Sequence, residues 1–207
     1  MYEDYEDDVV FAVNKDFIPI WKLEMERMSI AIDQSFVARW STEYDDRFQS
    51  GDTTAWDREQ QLRSWLSSQS GPKCFDREHF LLHGEWKLPR QRQNYLRNTD
   101  TEIRRATQEA YHELDPVKKL NSLTHLHGVG VTVAASILHF LLPDEFAIFD
   151  FHCRAVLFET SYWHRPGSDD SLDSWLDYNG IMVALARRIN VSLRDLDKAL
   201  WAYHKWR

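Results

Sequence analysis

The residues with the clearest chemical potential lie between Leu123 and Phe158. In the run from Leu126 to Leu138, Gly128 and Gly130 flank Val129 and allow a tight turn between two helical segments. Backbone amides at the amino end of a helix suit a phosphate, and His127 beside the turn could add a contact. Asp150 follows twenty residues after Gly130, between Phe146-Ala147-Ile148-Phe149 and Phe151-His152. A carboxylate at a helix amino end is held ionised by the helix dipole, and an ionised carboxylate suits an oxocarbenium-like transition state. The plainer reading makes Asp150 an N-cap, for which aspartate is a preferred residue. A third group, Trp86-Lys87 with Arg90 and Arg92, joins an aromatic platform to three cations. That mixture stacks a displaced base and holds its flanking phosphates, while its plainer reading is a core tryptophan beside solvated cations.

The spacing of Leu126, Gly128, Val129, Gly130, Ala134 and Ile137 resembles the helix-hairpin-helix motif of base-excision DNA glycosylases. The stretch Phe146 to His152 is similar to the aliphatic-Asp-Val-His segment that follows the hairpin in 8-oxoguanine DNA glycosylase and its relatives. Two linked motifs are harder to obtain by chance than one. The resemblance implies an all-α bilobal fold with the hairpin and Asp150 at the mouth of a cleft. It implies that amides around Gly128, Gly130 and Val131, with Val129, Thr132 and His152, meet a DNA strand. A monovalent cation on hairpin carbonyls is part of the same expectation, without an iron-sulfur cluster. Asp150 would then assist departure of a flipped base by stabilising positive charge on the sugar. Lyase-competent relatives carry a lysine where this chain has Thr132, so the expected enzyme is monofunctional, with Trp86 and Lys87 in the base pocket.

A dinucleotide-binding reading also places an acid about twenty residues after a glycine-rich turn. It fails because Val133 occupies the third glycine position and because Pro116 to Leu126 reads as a helix rather than a strand. His79 and His83 share a helix face near Cys74, yet no glutamate follows His79 and no third ligand is evident, so no metal site is expected.

These groups need helices to position them. The first eight residues hold five acids, so 1–10 reads as an acidic solvated tail and 11–207 as one helical domain of two lobes. Trp21, Leu23, Met28, Ile30, Ile32, Phe36 and Trp40 recur near helical spacing until a polar break at Gln49 to Asp52. After a second turn at Ser70-Gly71-Pro72, the residues Phe75, His79, Phe80, Leu82, His83 and Trp86 form one apolar and aromatic helix face that Pro89 stops, and Thr99 with Glu102 forms a capping-box pattern. Asp115-Pro116 starts a further helix, Val133 to Leu142 reads as buried, Asp150 opens another, His164 to Ser174 reads as a polar loop, and Ser192 opens the last.

Composition excludes several classes. Two cysteines are too few for a disulfide framework, a four-thiolate cluster or a four-cysteine zinc site. No apolar run reaches membrane-spanning length and the first residues are acidic, so a soluble, untargeted, cytoplasmic protein is expected. A net charge of -8 argues against non-specific coating of nucleic acid, although Lys73 to Arg105 carries eight cations against five anions. The alternatives are a non-catalytic hairpin module that binds DNA or a protein partner, and an RNA-processing or signalling scaffold.

Overall fold

The computed structural model describes residues 30–51, 53–165 and 169–207. Among the described residues the chain is all-helical, without strands. In order come α1 (Gln34–Ser50), α2 (Thr54–Ser68), α3 (Arg77–Lys87), a 3-10 turn (Pro89–Gln91), α4 (Arg92–Tyr95) and α5 (Asp100–His112). After them come α6 (Pro116–Thr124), α7 (Val131–Leu141), α8 (Phe151–Glu159), α9 (Leu172–Ile189) and α10 (Leu193–Trp206). The acidic segment 1–10 and the periodic positions Trp21, Leu23 and Met28 lie outside the described residues.

Side-chain caps set most of the starts. Asp33, Asp76, Asp115, Asp150, Ser171 and Ser192 each accept a backbone N–H from the first turn of the helix that follows. Thr99 and Glu102 form the full reciprocal box, satisfying two otherwise unpaired donors. The polar stretch after His164 ends sooner than its composition suggests, because the Ser171 hydroxyl accepts from Ser174 N at 3.2 Å and starts α9. That helix stops where Asn190 takes a left-handed conformation, φ 54° and ψ 55°, which asparagine tolerates.

Helix α7 runs through the middle of the core, with every residue from Val133 to Leu141 buried. A helix apolar on all sides is stable only when neighbours cover it, and α2, α3, α5, α6 and α9 do so. Helix α10 packs on α1 and α8. Its Tyr203 ring lies 5.3 Å from both Phe36 and Trp40 of α1.

Tyr95 is the joint that relates the hairpin to α3. Its fully buried ring fills the space beside Gly84 and Gly128, and its hydroxyl donates to Leu88 O at 3.4 Å. A Cβ on Gly84 would stand 2.5 Å from two carbons of that ring, which has no room to retreat. Gly84→Ala is therefore expected to destabilise the protein by roughly 1–3 kcal/mol in denaturant unfolding, the usual cost of overpacking. A change within a few tenths of a kcal/mol would mean that the Tyr95 joint is loose.

Candidate active site and hairpin

The hairpin joins α6 to α7 through residues 125–130. Leu126 and Val129 turn inward and are buried, so the apolar residues of the motif anchor the turn. Asn98 clamps it from the side: its amide donates to His127 O at 3.0 Å and its carbonyl accepts from His127 N at 2.7 Å. Gly128 has φ +84°, and a Cβ there would come within 2.9 Å of Asn94 and Tyr95, so this position demands glycine twice over.

Gly130 is different. It is exposed, its backbone is extended, and a Cβ would meet nothing within 4 Å. Nothing inside the protein requires glycine there. As N-cap of α7 it also supplies no side-chain cap to the first-turn amides. The first turn, Val131 and Thr132, is half-buried. The His127 side chain is exposed beside Glu102 and Arg105 in a shallow depression on the flank of the turn.

Asp150 caps α8, its Oδ1 accepting from His152 N at 3.0 Å. Its other oxygen receives the Lys87 ammonium at 3.0 Å, a contact spanning 63 positions of sequence. Burial pushes the Asp150 carboxyl up, but the Lys87 charge and the His152 amide together outweigh it and hold the group below the usual carboxylate range. The carboxylate is therefore ionised at neutral pH.

Asp150 and Lys87 open onto a cavity of about 220 Å³. Trp86, Trp201, Tyr44 and Phe48 form aromatic walls, and Arg194 and Asp197 complete the lining. The volume lies below the roughly 300–1,000 Å³ of common small-molecule pockets, which suits one flat ring system better than a large cofactor. Trp86 is braced edge-on against Phe140 at 5.2 Å, and Trp201 against Tyr44 at 5.5 Å. No protein-family model, curated protein or solved structure matches this chain.

Beneath the cavity runs a buried ionic network. Arg194 donates through Nε to Glu59 Oε1 at 2.8 Å, through Nη2 to Glu59 Oε2 and to Tyr44 Oη at 3.2 Å, and through Nη1 to Asp197. Arg63 adds a second cation to Glu59 at 2.9 Å. Burial raises the Glu59 carboxyl, yet the two guanidinium groups prevail and bring it down to about 2.

The residues singled out by sequence thus divide. Trp86, Lys87 and Asp150 meet in one cavity although α3 and α8 are far apart in the chain. Gly128, Gly130, Val131, Thr132 and His127 belong to the hairpin surface, whereas Val129, expected to meet DNA, is buried because its apolar side chain anchors the turn in the core. Arg90 and Arg92 are exposed past the end of α3, with Arg92 paired to Glu85 at 3.0 Å, and neither lines the cavity. His152 turns to α10, where its Nδ1 meets His204 Nδ1 at 2.8 Å. His79 stacks on Trp65 at 3.8 Å, and His83 is buried against Ser136 at 3.0 Å. Burial, with Lys87 and His139 nearby, pushes His83 down to about 3, so it is neutral and internal.

Sequence reading missed Tyr44, Phe48, Glu59, Arg194, Asp197 and Trp201. One signal was present: Arg194, Asp197 and Trp201 fall at spacings of three and four, beside the apolar stripe Leu193, Leu196 and Leu200. On an amphipathic helix such residues stand at the edge of the packed face, and here that edge is where the cavity opens.

Proposed function

We propose that this chain is a base-excision DNA glycosylase of the helix-hairpin-helix type, with a bilobal arrangement around the cavity. The reading rests chiefly on one observation: an ionised Asp150, one segment downstream of a glycine hairpin, opens onto an aromatic-walled cavity sized for a single base. The hairpin binds one strand through the exposed end of α7, where Gly130 lets a phosphate approach closer than any side chain would. A damaged or modified base leaves the stack and enters between Trp86 and Trp201, and Asp150 stabilises the sugar cation as the glycosidic bond breaks. Lys87 holds Asp150 ionised, and a water completes the hydrolysis. With Thr132 at the motif's lysine position, and Lys87 committed as an ion-pair partner, the product is an abasic site in an uncut strand.

Duplexes carrying uracil, hypoxanthine, 8-oxoguanine, alkylated or otherwise modified bases provide the test. Strand breaks that appear only after alkali are expected on at least one of them. Breaks that form without alkali, with the enzyme trapped on DNA by borohydride, would reassign Lys87 as a Schiff-base amine. The net charge of -8 and Thr132 favour a second reading, a hairpin module that binds DNA without catalysis. Salt-sensitive DNA binding with no abasic product on any duplex would select it.

Gly130→Asp separates hairpin function from folding. The new side chain has open space and an extended backbone, so the melting temperature should stay within a few degrees of wild type. Duplex affinity should collapse, because a carboxylate would stand where a phosphate must approach. Wild-type affinity should also fall with salt, with a log–log slope of about −0.9 per phosphate engaged. Binding indifferent to both changes would remove the hairpin from the DNA interface.

A further inference from the structure

Between α7 and α8 the chain passes through Phe146, Ala147, Ile148 and Phe149 before it reaches Asp150. All four residues are buried, and Ile148 lines the cavity together with Asp150. The segment is neither helix nor strand, and among the described residues no backbone group from Ala147 to Phe149 bonds to another backbone group. Buried amides and carbonyls are costly to leave unpaired, and the pairing found here comes from side chains.

Three side chains on two helices hold the segment. Asn179 of α9 accepts from Ala147 N at 2.8 Å and donates from its amide nitrogen to Glu145 O at 3.1 Å, so it pairs with the chain as a neighbouring strand would. Tyr178, one residue earlier on α9, donates its hydroxyl to Ile148 O at 3.0 Å. Its ring is fully buried, 5.2 Å from Phe149 and 6.0 Å from Trp163, which leaves the hydroxyl little freedom. On α7, His139 Nδ1 stands 2.8 Å from Phe146 O. A carbonyl only accepts, so Nδ1 carries the hydrogen and Nε2 faces Arg63 Nη2 at 3.4 Å as an acceptor. Asp150 is thus fixed from both directions: α9 holds the chain two residues upstream, and the His152 amide caps it downstream.

We infer that Tyr178 and Asn179 are positioning residues for Asp150: they hold the segment that carries it, so that the carboxylate stands at the cavity wall against the Lys87 ammonium, 3.0 Å away. Their effect on rate rests on the base-excision reading, whereas their effect on where Asp150 stands does not. Neither residue touches the cavity, and each acts only through the backbone of residues 145–148. A reacting group misplaced by about 1 Å costs on the order of 10²-fold in rate, which sets the size of the effect.

Two variants test it. Tyr178→Phe keeps the ring and removes only the donor, and Asn179→Ala removes both amide contacts at a half-buried site. Single-turnover excision, on a duplex that wild type attacks, should slow by about 10- to 100-fold in each, with duplex affinity unchanged because the hairpin is untouched. Carbon-13 NMR of the aspartate carboxyls, with Asp150 assigned through Asp150→Asn, reads placement without any reaction. Lys87 and the His152 amide hold Asp150 below the usual carboxylate range against burial, so a loosened contact with Lys87 should move its titration to higher pH. The other charged or titratable groups near it, His152, His204 and Asp197, are unaltered by either substitution. An upward shift together with slower excision supports the assignment. An unmoved Asp150 overturns it even if excision slows, since the loss would then be one of general packing, and excision at the wild-type rate overturns it as well. If Tyr178→Phe does not fold, Asn179→Ala carries the same comparison. No excision by wild type on any duplex would remove the base-excision reading, and the carboxyl titration would still decide whether α9 places Asp150.

Discussion

Asp150→Asn is expected to lower abasic-site formation by about 10²–10³-fold while leaving duplex affinity unchanged or slightly higher. The magnitude is that of removing one preorganised electrostatic stabiliser. Affinity is spared because the hairpin amides are untouched and a negative charge near the DNA is gone. The pH profile adds a second check on the same group. Lys87 contributes to keeping Asp150 below the usual carboxylate range, so Lys87→Met should move the acid limb of the rate profile to higher pH. Asp150→Asn activity within tenfold of wild type would show that the carboxylate is an N-cap and ion-pair partner without a catalytic role.

Arg194→Met should be the most damaging single change to stability, costing on the order of 3–5 kcal/mol in denaturant unfolding. Glu59 is 1% exposed and Asp197 3% exposed, so removing the guanidinium between them strands buried carboxyls with too little positive charge. The loss also has a pH signature. Glu59 sits at about 2 in the folded protein against an ordinary 4.5, so its contribution is present above about 4.5 and is lost as pH falls toward 2. In the variant Glu59 no longer has Arg194 to hold it ionised and can take up a proton at higher pH. The stability gap between variant and wild type should therefore narrow on acidification. Combining Arg194→Met with Glu59→Gln should recover part of the loss, since an apolar or neutral replacement of both partners avoids the stranded charge. A single-variant cost below about 1 kcal/mol, or a gap independent of pH, would show that the network is solvated rather than buried.

Much of the helical scaffold was legible in the residues themselves. Thr99 with Glu102, Asp115 with Pro116, and Asp150 and Ser192 announced helix starts that the structure contains, because capping is a local hydrogen bond made within three residues. Periodicity announced α7 as a buried helix for the same reason: its nine successive buried positions are apolar or small apart from Ser136 and His139. The onset of α9 at Leu172 was hidden, since the Asp169-Asp170-Ser171 run is as good a loop as it is a helix start.

The candidate site was legible only where its chemistry is consecutive in the chain. Gly128, Gly130 and Asp150 stand out by type and spacing, and Trp86-Lys87 by composition, but nothing local joins Lys87 to an aspartate 63 positions away. That contact exists because the last residue of α3 and the N-cap of α8 line one cavity, with α8 held there by its packing on α10 rather than by any short pattern. The same holds for Arg194, which reaches Glu59 across 135 positions and Tyr44 across 150. By itself the sequence determined the all-helical class of the described residues, several of their caps, the glycine turn and the aspartate that follows, since each depends on neighbours within a turn or two. Only the tertiary structure decided which charges share a cavity and are buried together, because burial and pairing arise from contacts between helices that the chain order does not express.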